Sequence, residues 1–174
     1  MMATSKQVES EVQALVESIA DEACTGLFEA YGVPLRRCDF EAAAAKELLW
    51  SSVVGFTGPG IRGACILAAT EQPLHQSLPI SGSLRDWIAE LCNQLTGRIK
   101  NRLGAHGAEV YVTTPVVLRG EHLAPLPRRE TPPHLFSSEG GTVLLWLDVE
   151  TEPTFTLRSP PEPLVVSEGE ALLF

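Results

Sequence analysis

No run of about eighteen consecutive apolar residues, the length at which a helix begins to span a bilayer, occurs anywhere in the chain. Its first residues interleave Lys6, Glu9 and Glu11 with apolar positions, unlike the apolar centre of a secretory signal. These two absences predict a soluble, cytoplasmic protein. Basic residues are also in deficit, since 13 Lys and Arg face 22 Asp and Glu for a formal net charge of −9. A surface of that sign is repelled by phosphate backbones and anionic lipid, so nucleic acid and membrane are excluded as expected partners.

Closely spaced cysteines are missing too. Cys24, Cys38, Cys65 and Cys92 contain no CxxC pair, and three of them sit within apolar patterns. They read as small core residues in a reducing compartment, and no disulfide is expected. His75, His106, His122 and His134 do not join them at zinc-ligand spacing, so no metal site is expected. No internal repeat of about 20 to 50 residues is visible. What remains is a chain of 174 residues that is 44% hydrophobic, enough to bury one core and to predict a single domain over 1–174.

Thr4 and Gln7 make a capping-box pattern, and Val8, Val12, Leu15, Val16, Ile19, Ala23 and Leu27 recur at helical spacing after it. The helix should stop near Tyr31, where Gly32 suits a C-terminal position and Pro34 cannot easily continue the turn. Residues 33–46 are ambiguous between a strand and a short helix. Residues 48–57 and 61–69 are apolar, rich in strand formers and joined by Gly58-Pro59-Gly60, which predicts a β-hairpin. A short helix over 71–78 accommodates Pro73 in its first turn. Ser83 and Asp86 then cap a second long helix over 84–103, with Gly104 as the expected stop.

Beyond it, 109–118 alternates as a strand in which Pro115 removes one ladder donor and marks an edge or a bulge. Residues 121–141 carry four prolines with Arg128, Arg129 and His134, and read as a long exposed loop. Residues 142–149 and 154–158 look like a second hairpin across 150–153, and 164–174 offers a last strand. The predicted fold is α+β: a mostly antiparallel sheet of five or six strands packed by two long helices whose outer faces see solvent.

On a helical wheel, Trp87, Ile88, Leu91, Cys92, Leu95 and Ile99, with Leu84 and Leu103 at the ends, form one broad core face. The opposite face is centred on Asp86, Glu90, Asn93 and Gly97, spaced so that they stack along one stripe. Asn and Gly on an exposed helix interior together cost ~1 to 1.5 kcal/mol against Ala. A solvated face would explain the stripe without any function. Alternatively, Gly97 lets another molecule's backbone approach beside the Asn93 carboxamide, with the Glu90 carboxylate one turn away.

The segment Asp86-Trp-Ile-Ala-Glu90-Leu-Cys-Asn93-Gln-Leu-Thr-Gly97-Arg-Ile-Lys100-Asn-Arg-Leu103 resembles the signature helix of the CheX, CheC and FliY chemotaxis phosphatases, which carry an acidic residue and an Asn three positions apart. The hairpin before it and Thr113-Thr-Pro115-Val-Val-Leu-Arg-Gly120 after it are similar to the same family, so the signature region covers about 48–120 of a single CheX-like domain with a CheC-like fold. One such helix resembles CheX, with its single site, more than CheC with two. The Pro-rich loop 121–141 and residues 164–174 have no counterpart in that pattern.

The resemblance implies a phosphatase for the aspartyl phosphate of a CheY-like response-regulator receiver domain. Asn93 would orient the attacking water, and Glu90 would dock on a lysine of the receiver. A neutral carboxamide suits the first role, because a carboxylate would meet the phosphoryl oxygens with like charge. The Mg2+ of the reaction would belong to the receiver. Asp86 and Gly97 are the candidate partner-binding positions, although Asp86 also reads as a cap and Lys100 as a solvated side chain. The resemblance further implies a homodimer through the sheets. Two other functions share the sequence features: a non-catalytic receiver-binding scaffold, and an interaction module related to the flagellar switch.

Overall fold

A computed structural model of the chain describes residues 5–39, 50–79, 81–120 and 133–158. Helix α1 (Ser5–Ala30) forms where the apolar periodicity places it and buries Val12, Val16, Ala23, Leu27 and Phe28. At its end the Val33 N–H donates to the Phe28 carbonyl at 3.0 Å and the Gly32 N–H to the Glu29 carbonyl at 2.9 Å. This pair of bonds satisfies carbonyls that a helix terminus otherwise leaves open. Thr4, the expected cap, lies outside the described residues. Part of the ambiguous stretch after the helix is a short strand, β1 (Arg36–Cys38), and residues 40–46 lie outside the described residues.

The expected hairpin is present as β2 (Trp50–Gly58) and β3 (Ile61–Ala69), in continuous register from Gly58 opposite Ile61 to Trp50 opposite Ala69. A short helix, α2 (Glu71–Ser77), follows, and then α3 (Leu84–Ala105). The expected single strand over 109–118 is two strands, β4 (Tyr111–Val112) and β5 (Val116–Arg119), which both pair with β2. Pro115 interrupts the ladder between them because it has no N–H to donate. Thr113 spans the gap, donating its N–H to the Gly55 carbonyl at 2.8 Å and accepting the Gly55 N–H on Oγ1 at 2.9 Å.

The last two strands correct the sequence reading. Within the stretch expected to be a loop, His134–Ser138 is a strand, β6, which turns over Glu139 and Gly140 into β7 (Gly141–Thr151). Proline and charge dominate the composition of that stretch and mask a five-residue strand signal; Leu135 and Phe136 are buried. The hairpin partner of β7 is therefore β6, and 154–158 is not a strand. Residues 121–132 and 164–174 lie outside the described residues.

Among the described residues the sheet has seven strands, not five or six, and three helices accompany it, the long α1 and α3 and the short α2. Its order is β1-β6-β7-β3-β2, with β4 and β5 on the outer edge of β2, and every pairing is antiparallel. Alternation along β7 sends Val143, Leu145, Leu147 and Val149 into the main core with the helices. Leu144 and Trp146 point to the other face, where they join Ala68 and Leu135 in a smaller apolar cluster. All four cysteines are free, three of them buried and Cys38 partly exposed. Burial raises the Cys24 thiol far above its ordinary range.

Candidate functional site

Helix α3 is fixed at its start by Ser83, whose Oγ accepts the Asp86 N–H at 3.1 Å and donates to the Asp86 carboxylate at 2.8 Å. The cap satisfies a donor that the first turn leaves open. Trp87, Ile88, Leu91, Leu95, Ile99 and Leu103 are buried, as the wheel requires. Two polar groups on the same side are accommodated locally, Thr96 by donating to the Cys92 carbonyl at 2.8 Å and Trp87 by donating Nε1 to Ser77 Oγ at 2.9 Å.

The helix runs one turn-fraction past its expected stop. Gly104 remains helical, and termination falls at Gly107, whose φ of 85° is one that other residues resist. Ala108 donates to the Leu103 carbonyl at 3.0 Å and Gly107 to the Gly104 carbonyl at 2.9 Å, the same closing pattern as at the end of α1. A glycine three residues too early in the sequence was the misleading signal.

The rigid inner face leaves the outer stripe in solvent. Asp86, Glu90 and Asn93 are exposed and Gly97 is partly exposed. A Cβ built on Gly97 would meet no atom within 4 Å, so the space above it is open. The Asn93 carboxamide makes no hydrogen bond to any described residue, whereas the Asp86 carboxylate is engaged in the cap. Glu90 is held: Gln94 donates Nε2 to Glu90 Oε1 at 2.7 Å, and the Gln94 carbonyl oxygen accepts the Tyr31 hydroxyl at 3.0 Å. Gln94 follows from the helical period, but Tyr31 is 63 residues away and had no sequence signal.

A second polar cluster lies elsewhere. Asp21 on α1 pairs with both Arg37 on β1 and the buried ring of His134 on β6, tying the helix to that edge of the sheet. Two depressions of about 360 and 350 Å³ sit around Arg62 and Glu150, near the turn between β2 and β3, and neither includes a residue of α3. The stripe is an exposed helix face, suited to meeting another macromolecule rather than enclosing a small one. Among the described residues no group of His, Cys, Asp and Glu could hold a metal, and no helix is long and apolar enough to cross a membrane.

No family model matches the sequence, and no curated protein matches it significantly. Solved structures do. Chemotaxis protein CheX from Vibrio vulnificus is 18% identical over 78% of this chain and 96% of its own, at a TM-score of 0.66. A CheC-like superfamily protein from Shewanella sp. PV-4 is 19% identical over 86% and 99%, at 0.63. The fold is that of the CheX and CheC-like chemotaxis proteins. A CheX from Borrelia burgdorferi, solved as a CheX–CheY–BeF3–Mg2+ complex, is 16% identical over 76% of this chain and 96% of its own, at 0.59. The resemblance read from the helix and its flanks therefore extends to the architecture around them, including the sheet that carries α3.

Proposed function

We propose that this protein is a phosphatase for the aspartyl phosphate of a CheY-like receiver domain, acting through the outer face of α3. The observation that carries the reading is the pairing of an exposed Glu90 with an exposed, unengaged Asn93 beside the open space at Gly97. A partner's backbone can enter that space without displacing a side chain. The CheX-like fold and the complex of the Borrelia CheX with CheY support a receiver as the partner.

In this reading the receiver supplies the phosphoaspartate, the Mg2+ and a lysine, and this chain brings no cofactor. Glu90 pairs with the lysine and sets the register, a charge-assisted contact made in the ground-state complex. That register inserts Asn93 beside the phosphoryl group. Its carboxamide oxygen accepts a hydrogen bond from water and holds it in line with the phosphorus. The water oxygen bonds to phosphorus, the bond from phosphorus to the aspartate carboxylate oxygen breaks, and inorganic phosphate and the free carboxylate leave. Positioning and preorganised polarity supply the acceleration, with no covalent intermediate on this chain.

We also propose a homodimer that leaves the stripe free. The sheet edge made by β4 and β5 exposes Tyr111, Val112, Val116 and Leu118, and α3 turns its stripe away from the sheet. The experiment is incubation of the purified protein with a panel of phosphorylated receivers, following phosphate release against each receiver's own rate. Acceleration of at least one receiver is expected. Binding to a receiver without acceleration would favour the scaffold, and neither binding nor acceleration would remove the reading.

A further inference from the structure

Glu90 carries more structure than an exposed carboxylate needs. A glutamate on a helix surface samples many rotamers, and a docking contact made by such a group loses affinity to the ordering it requires. Here the Gln94 amide holds one oxygen, Oε1, at 2.7 Å, while Oε2 makes no hydrogen bond to any described residue. Taken alone, Glu90 and Gln94 would be an ordinary pair one helical turn apart.

The anchor comes from another element. Tyr31, at the closed end of α1, donates its hydroxyl to the Gln94 carbonyl oxygen at 3.0 Å. Its ring stands edge-on to Trp87, with centroids 4.8 Å apart and planes at 89°. Trp87 is itself buried and donates to the buried Ser77. The polarity of this chain has one consistent solution. An ionised carboxylate only accepts, so the Gln94 NH2 must face Glu90, which turns the amide oxygen to the Tyr31 hydroxyl as acceptor.

We propose that Gln94 and Tyr31 are positioning residues that hold the Glu90 carboxylate with one oxygen presented to the receiver's lysine, an inference that rests on the docking role given to Glu90 above. Preorganisation of this kind strengthens binding and leaves the chemical step alone.

The test measures Kd for isolated receiver domains loaded with beryllofluoride and Mg2+, and KM and kcat for phosphate release from the phosphorylated forms. Tyr31→Phe and Gln94→Ala should each raise Kd and KM by roughly 3- to 10-fold, the scale of ordering one flexible side chain, with kcat not following. Tyr31→Phe keeps the ring against Trp87 and so keeps the fold. In a Glu90→Ala background the same substitutions should change Kd by less than about 1.5-fold, because their effect passes through that carboxylate. Equal losses with and without Glu90 would mean a structural role and overturn the inference. If Glu90→Ala weakens binding while neither Tyr31→Phe nor Gln94→Ala does, positioning is wrong and docking stands. If Glu90→Ala binds as tightly as the parent, or the parent binds no receiver, docking and positioning fall together.

Discussion

Asn93 occupies an exposed position inside a helix, where Ala is favoured by about 0.5 kcal/mol, and its side chain has no partner among the described residues. Asn93→Ala should therefore leave the fold intact, with thermal stability level or slightly raised. Receiver binding should survive while phosphate release falls by roughly 100-fold or more, the scale of losing one group from a preorganised site. Unchanged phosphate release would remove Asn93 from the mechanism. Gly97 separates the fold from the interface in the opposite sense. Because nothing lies within 4 Å of its would-be Cβ, a side chain can start there without a clash, and Gly97→Leu should leave the isolated protein folded. If the receiver's backbone fills that space, the same variant should lose receiver binding by at least about tenfold, since a close-packed contact cannot absorb a new side chain. Retained affinity, measured by titration with beryllofluoride-loaded receivers, would show that the partner docks elsewhere.

At the scale of elements, α3 shows how a helix end is chosen. Gly104 and Gly107 are equally plausible stops by composition, and the sequence reading took the first. Backbone geometry selects the second, because Gly107 takes the positive φ that lets the N–H groups of His106, Gly107 and Ala108 close on the carbonyls of Leu103 and Gly104. The two glycines should consequently respond with opposite signs. Gly104→Ala replaces a helical glycine facing open space and should stabilise by about 0.5 to 1 kcal/mol. Gly107→Ala places a side chain at φ 85° and should destabilise by about 1 to 2 kcal/mol. Paired thermal melts decide between the two stops. The same logic of local against distant signals explains β6, whose residues looked like loop because their strand character comes from pairing with β1 and β7 and from burial of Phe136.

For the whole molecule, burial and edge exposure make separate predictions. Cys24, Cys65 and Cys92 are buried, with the Cys65 thiol pushed well above its ordinary range by its hydrogen-bonded neighbour Cys92 and by burial. Only Cys38 should react quickly with a chromogenic thiol reagent in the native protein, whereas all four should react in denaturant, with or without prior reduction. A gain on reduction would reveal a disulfide. The outer edge offers a different test. Tyr111, Val116 and Leu118 are 57%, 59% and 46% exposed on strands whose outer side pairs with no described strand. Light scattering should give twice the monomer mass at micromolar concentration, and Val116→Lys should reduce it to the monomer. A parent protein already monomeric under those conditions would end the dimer proposal.

Local spacing along the chain is enough to specify the apolar periods of α1 and α3, the hairpin of β2 and β3 around Pro59-Gly60, the Ser83 cap, and the stripe of Asp86, Glu90, Asn93 and Gly97. Each rests on spacings of two to four residues, which a helix or strand turns directly into faces. Tertiary structure alone decided the seventh strand, the partner of β7 and the anchoring of Gln94 by Tyr31. Those depend on contacts between residues far apart in the chain, such as His134 with Asp21 and Tyr31 with Gln94. No periodicity encodes them, because they exist only once the sheet has brought distant segments into register.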